Sequence, residues 1–454
     1  MKRFASLLCS LCFAVLSCSC AESPVPSTPA APSGTPVPAV PEPVTYFMDS
    51  GSGTAEGFYD LSSRSDKGAN IIYYDYATKV CVYLSSDVNS THNSADDTSY
   101  LPNTFGGLDL FTDGSKLYAI KSGRANYDSP DPDDAASILY QMDLDGQNRR
   151  EIRLPANTVF SGGHVFSSNG KLIFLCKQIE EDWSGVWQLR EMDFTSGTSH
   201  VLSALPNCDH AVIAGAWQDR ILLCMRNRET QQFRILLLDP ESGEQTEILS
   251  DLFPMIDSLR GRLFFAGNGE VQLYDFSSGK SESTSILLAP IEDDFFEFPG
   301  ALNETDGLLY YAKGGEIWSF DPNTKTACFT DFSVPVKEGE RCYVSVDHGY
   351  LEIWFEDGHV YFDPVIKKEF PGYPDVEDKP VFIQGEFGDS YFVKMGSIHI
   401  QYQDFNPDGV PIQNEMGLPH YVLIKKEDFW NGRPVFEEFD NQIFKTADFD
   451  VKLQ

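Results

Sequence analysis

Short runs of alternating apolar and polar residues recur along the chain, and each ends on an aspartate that leads into a turn. The clearest is GEIWSFD at 315–321, followed by Pro322-Asn323-Thr324-Lys325. The eight copies end at Asp75, Asp143, Asp193, Asp239, Asp275, Asp321, Asp363 and Asp404. Successive markers lie 68, 50, 46, 36, 46, 42 and 41 residues apart. Alternation at period two marks a strand with one buried face. A repeat of about 45 residues built from such strands predicts one four-stranded β-propeller blade per copy. The expected fold is all-β: a propeller of eight four-stranded blades, or of seven if one marker is spurious or the tail packs outside the ring.

The repeated aspartate has a structural use. At a strand end its carboxylate accepts backbone N–H groups of the following turn. The markers are therefore read as turn-makers, not as a catalytic series. The first blade lacks an evident innermost strand, and a C-terminal strand is expected to complete it and close the ring. Nothing reads as an amphipathic helix longer than two turns.

The two ends of the ring-forming region differ from it. Lys2-Arg3 precedes a largely apolar run at 4–16 that is too short for a bilayer-spanning helix. Proline then recurs every two to four residues from Glu22 to Pro43, which forbids helix and sheet and makes a semi-rigid tether. The domains read as a signal peptide at 1–17, a tether at 18–43 and the propeller at 44–454. The net charge is −34, a surface that repels phosphate backbones, so nucleic acid is not an expected partner.

After the tether, the cysteines sit at similar blade positions and read as small buried hydrophobes. Neither a CxxC nor a zinc-ligand spacing is present there, although one bridge between Cys208 and Cys342 remains open. His164 and His210 each precede their marker aspartate by 29 residues, which places them at equivalent positions near the start of adjacent blades. Asp209 and Trp217 are close by in sequence, and Asp347-His348 marks a similar strand later. Together with Trp183, in an acidic bulge, these are the candidate ligand-binding residues, a ring of His, Asp and aromatic groups suited to a polar ligand such as a glycan. Trp318 and Trp354 are expected to pack between blades. Calcium is the one cofactor considered. Its candidate ligands are Asp128, Asp131, Asp133 and Asp134, although two prolines and a missing central glycine depart from the EF-hand pattern.

Two resemblances add to this. Val15-Leu16-Ser17-Cys18 resembles a bacterial lipoprotein signal, which implies cleavage before Cys18, lipidation of its thiol and a membrane anchor on the outer face. The repeat unit resembles those of TolB-like, quinoprotein-like and DUF5050-like propellers. With the lipobox, the tether and IIYYDYATKVCVYL (71–84), the chain is similar to a group of propeller lipoproteins from anaerobic Gram-positive bacteria. In such relatives the next loop carries paired cysteines around a histidine. Here His92 is kept, but Ser85 and Asn89 stand at the cysteine places. The resemblance implies an extracytoplasmic binding protein for a glycan, a peptide or an envelope protein. The alternatives are a propeller enzyme acting on polysaccharide or lactone and a scaffold in an envelope assembly.

Overall fold

The structure, a computed structural model, describes residues 44–443 except 49–50, 64–67, 86–89, 91, 93, 95, 103–106, 124–135, 162, 169–170, 181–183, 231, 260, 268, 288, 291–295, 298–299, 338–339, 357, 374–380 and 406–410. For strand residues 44–48, 63, 168, 251–259, 289–290, 296–297, 397–405 and 411–418 only the backbone is described. All lie within one compact unit, Glu42–Gln454.

Eight antiparallel blades follow one another. Blade 1 runs from its inner strand Gly51–Gly53 through Gly57–Ser63 and Ala69–Asp75 to Val80–Tyr83. Blade 2 is Leu108–Thr112, Lys116–Lys121, Ile138–Asp143 and Arg150–Arg153. Blade 3 is Gly163–Ser168, Lys171–Ile179, Gly185–Asp193 and Thr198–Leu205. Blade 4 is Cys208–Trp217, Arg220–Asn227, Phe233–Leu238 and the first half of Gln245–Leu259. The second half of that long strand opens blade 5, which continues through Arg262–Gly267, Glu270–Asp275 and Lys280–Leu287. Blade 6 is Gly300–Leu302, Leu309–Lys313, Glu316–Asp321 and Thr326–Ser333. Blade 7 is Cys342–Asp347, Tyr350–Phe355, Gly358–Asp363 and Lys368–Glu369. Blade 8 is Phe382–Phe387, Ser390–Phe405, Pro411–Lys425 and Phe436–Glu438, with one short helix, Lys426–Trp430, before its outer strand.

The core is divided among the seams. Among the described residues eight separate apolar clusters are present, each drawn from two neighbouring blades, and one of them joins blade 8 to blade 1. That last cluster, with Phe392, Tyr421 and Leu423 against Phe58, Ile72 and Tyr74, closes the ring. Alternate residues of a strand point to opposite faces, so each blade supplies one face to each of its two seams.

Most markers do what their position suggests. The Oδ1 atom of Asp75 accepts the N–H groups of Ala77 (2.9 Å) and Thr78 (2.8 Å). Asp193, Asp239 and Asp363 each accept two turn N–H groups, and Asp275 and Asp321 one each. In blade 2 the task shifts to Asp145, which accepts the N–H of Gln147 (3.0 Å), while Asp143 holds Lys116 and Asn148 instead. Asp404 is out of phase. It lies near the end of the second strand of blade 8, whose third strand, Pro411–Lys425, has no marker. One marker is thus spurious, yet the count stays at eight because the tail supplies the last blade.

Closure also differs from expectation. The inner strand of blade 1 is Gly51-Ser52-Gly53, invisible to an apolar pattern because it has no apolar residue. A Cβ on Gly51 would fall 2.5 Å from the Phe58 ring, so the glycine lets the two strands approach. The C-terminal residues Asp440-Asn441 pair with Val80-Cys81 at the outer edge of blade 1 instead. One further strand, Val44–Met48, pairs with the inner strand of blade 3 on its axial side, Val44 opposite Ser167 and Met48 opposite Gly163.

Candidate binding site

The turn joining first to second strand in each blade defines one face of the ring, the turn face. The connection from second to third strand defines the other, the loop face. The candidate residues scatter over both.

Asp347 and His348 lie on the turn face, at the end of the inner strand of blade 7, where His348 (φ 49°) and Gly349 (φ 83°) form the turn. Asp347 belongs to a polar network on the side of blade 7 that meets blade 8. Direct cross-strand pairing puts Ser345 beside Glu352 and Glu352 beside Tyr361, and likewise Trp354 beside His359. The Ser345 hydroxyl donates to Glu352 Oε2 (2.9 Å), and His359 Nε2 meets Glu352 Oε1 (2.8 Å). The Tyr361 hydroxyl reaches Asp347 Oδ2 (3.4 Å) and accepts the N–H of Ile383 on blade 8 (3.3 Å). The two carboxyls are driven apart. Burial raises the pKa of Asp347, and the Glu352 charge adds to this against His348 and Tyr361. Burial also opposes the charge on Glu352, but hydrogen bonds from His359 and Ser345 outweigh it and hold its pKa below the usual range.

The network ends on the loop face at an aromatic platform. Trp354 is 36% exposed, stacks on His359 (ring centres 4.3 Å apart) and lies near-parallel to Phe382 of blade 8 (6.2 Å, 29°). Trp354 therefore packs across the blade 7–8 seam, as expected, and leaves part of the indole exposed beside a carboxylate–imidazole pair. Sequence reading missed the site. Glu352, Trp354 and His359 look like ordinary strand residues, and only the two-stranded pairing brings them onto one face. The signal was available in the polar alternation YLEIWF…HVY, which puts Glu, Trp, His and Tyr on the same side.

Asp209 and His210 lie on the loop face, at the seam of blades 3 and 4. Asp209 Oδ1 accepts from Arg226 Nε (2.9 Å), and the guanidinium of Arg226 lies 5.8 Å from the centre of the Phe233 ring. His210 is exposed between Trp187 (6.4 Å) and Phe233 (6.5 Å). Trp217 is not part of this site. It sits at the other end of the same strand, roughly 20 Å away at the usual rise per residue, stacked on Phe276 of the next blade (5.3 Å, 19°).

His164 is not equivalent to His210. Asn157 (φ 58°) and Asn207 (φ 56°) are the matching residues of blades 3 and 4, and each carbonyl accepts the N–H at the end of the second strand, from Ile179 and Arg228 (both 2.8 Å). By strand register from them, with a bulge between Cys208 and His210 in blade 4, the residue matching His210 is Val159, which lies opposite Lys177 as His210 lies opposite Arg226. An insertion in the inner strand of blade 3 and unequal loops further on make the two 29-residue spacings coincide. His164 instead lies opposite Phe47 of the axial strand. Its surface is open, yet burial lowers its pKa, partly offset by Glu304 of blade 6. Open surface with crowded surroundings and a carboxylate from a distant blade fits a place on the channel wall.

The His92 loop is a clamp tied to blade 1 by Asn70, whose Nδ2 donates to the His92 carbonyl and to Ser99 Oγ (both 2.9 Å). Ser85 Oγ and His92 Nδ1 each meet Asp97 Oδ2 (both 2.8 Å), and Ser99 donates to Oδ1 through N (2.8 Å) and Oγ (2.5 Å). Burial opposes ionisation of Asp97, but hydrogen bonds from Ser90, Ser99 and Ser85 outweigh it and hold its pKa far below the ordinary value. Cys208 and Cys342, on the inner strands of blades 4 and 7, are separate buried thiols, so no bridge joins them. Cys18, Trp183, Asp128, Asp131, Asp133 and Asp134 lie outside the described residues. Among the described residues no group of three or more His, Cys, Asp or Glu is placed to hold a metal ion.

No family model matches the chain, and no curated protein does. Solved structures do. A putative 6-phosphogluconolactonase from Bacteroides uniformis is 14% identical, over 82% of this chain and 100% of that one, with a TM-score of 0.38. An oligogalacturonate lyase from Vibrio parahaemolyticus is 13% identical over 82% and 90%, TM-score 0.37. TolB from Acinetobacter baumannii is 12% identical over 67% and 76%, TM-score 0.29. At these values the likeness is one of propeller fold, shared by enzymes and non-enzymes, and it carries no argument about activity.

Proposed function

We propose that this chain is a surface-anchored, extracytoplasmic binding protein that takes up a glycan at the seam of blades 7 and 8. The observation that carries the reading is Trp354, an exposed indole backed by His359 and flanked by the Glu352 carboxylate. A pyranose presents an apolar face to an aromatic ring and hydroxyls to acceptors at its edge, the combination this platform offers. The anchor reading is supported by the basic start, the apolar run and Cys18. Among the described residues no helix is long and apolar enough to cross a membrane. Val44 lies at the turn-face end of its strand and Trp354 at the loop-face end of its own. The test is binding of the soluble domain, 44–454, to an array of envelope and dietary glycans. A saturable signal lost in Trp354→Ala supports the reading. A signal unchanged in that variant, or none, contradicts it.

A second reading, an enzyme acting on polysaccharide or lactone, is favoured by one observation: Asp347 and Glu352 have acidities displaced in opposite directions beside one hydroxyl, that of Tyr361. Turnover of a bound glycan, abolished in Glu352→Gln with binding retained, distinguishes it.

A further inference from the structure

Three side-chain donors with no hydrogen-bond or ion-pair partner among the described residues lie close to one another at the seam of blades 3 and 4. The first is the indole N–H of Trp187, in a side chain only 9% exposed. The second is the ammonium of Lys177, directly across the strand pair, 5.9 Å from the centre of that indole. The third is the imidazole of His210, exposed on the neighbouring blade with its ring centre 6.4 Å from that of Trp187. Arg228 adds positive charge at the same place, since its Nη2 donates to the carbonyl of Gly185, two residues from Trp187 (3.1 Å). The described acids nearby are in use: Asp209 holds Arg226 (2.9 Å) and Glu180 accepts from Ser184 (3.3 Å).

This arrangement is incomplete without an acceptor. A buried N–H left unpaired costs about 1–3 kcal/mol, and the ammonium of Lys177 beside it has only the indole face as a partner among the described residues. We propose that this seam is a second binding site, independent of the Trp354 platform, that takes an oxyanion: a carboxylate or sulfate group of an acidic ligand. The indole N–H and the ammonium donate to the anion, and the exposed imidazole closes the third side. A charge-assisted contact of this kind favours acceptors, since the indole N–H and the ammonium carry donors and no acceptor.

The test is titration of the 44–454 domain with sodium sulfate, with glucuronate and with glucose, read by calorimetry and by tryptophan fluorescence. Sulfate and glucuronate should bind saturably, and glucose should not displace sulfate. Lys177→Met and Trp187→Phe should each weaken oxyanion binding by about tenfold with melting temperature retained, and Trp354→Ala should leave it unchanged. Binding of sulfate alone assigns the site to the bare oxyanion, and tighter binding of glucuronate to a sugar-borne carboxylate. Oxyanions that fail to bind or that glucose displaces, or with a Kd indifferent to Lys177→Met and Trp187→Phe, overturn the proposal. Loss of the glycan signal in Trp354→Ala would stand in either case.

Discussion

Tyr421 of blade 8 donates its hydroxyl to Oδ2 of Asp60 of blade 1, at 2.8 Å, across the seam that closes the ring. Both residues are buried, Asp60 to 2% exposure, and the other carboxylate oxygen accepts the N–H of Leu61 (2.7 Å). The two residues are 361 positions apart in sequence. A buried hydrogen bond to a charged group contributes about 1.5–3 kcal/mol. Tyr421→Phe should therefore lower stability by about that amount, as measured by denaturant unfolding. Packing of the ring is kept, so the effect belongs to the hydroxyl.

How much of this was legible in the sequence follows from what each residue needs. Asp75, Asp193, Asp239, Asp275, Asp321 and Asp363 announce their role because a turn cap is local: strand, carboxylate and turn are consecutive. Asp404 imitates the phrase on the wrong strand, because a second strand that ends in a turn has the same local pattern as a third. Gly51-Ser52-Gly53 was illegible because its role is to be thin beside Phe58. The site was hardly legible at all. Glu352, Trp354 and His359 become one surface only through strand register, and Trp187 meets His210 only through blade packing.

The Asp347–Glu352 pair makes stability at the seam depend on pH in two directions. Glu352 has a lowered pKa when folded, so its contribution is present above the ordinary glutamate range and is lost as pH falls through its folded value. Asp347 has a raised pKa when folded, so its contribution is present at low pH and is lost as pH rises through that value. Asp347→Asn should raise the melting temperature at pH 7, where the native pair is strained. The gain should vanish under acid conditions. Glu352→Gln should do the opposite, losing stability at pH 7. Thermal scans from pH 4 to pH 8 check both.

The thiols should be silent. Cys81, Cys176, Cys208, Cys224 and Cys342 are buried, and burial pushes Cys176 and Cys224 up to about 12 and Cys208 and Cys342 up to about 11. Only Cys328 is exposed among the described cysteines. The native 44–454 domain should react with one equivalent of a thiol reagent, and the denatured domain with six. Fewer than six after denaturation without reductant would reveal a disulfide.

The Trp354 platform is tested most directly by hydrogen–deuterium exchange of the 44–454 domain, alone and saturated with the glycan that binds best. Ligand bound there should protect the backbone of Tyr350–Phe355, Gly358–Asp363 and Phe382–Phe387, and leave blades 1 to 6 unchanged. Protection that falls on another blade or on the axial strand Val44–Met48, with those three strands unaffected, would contradict the account.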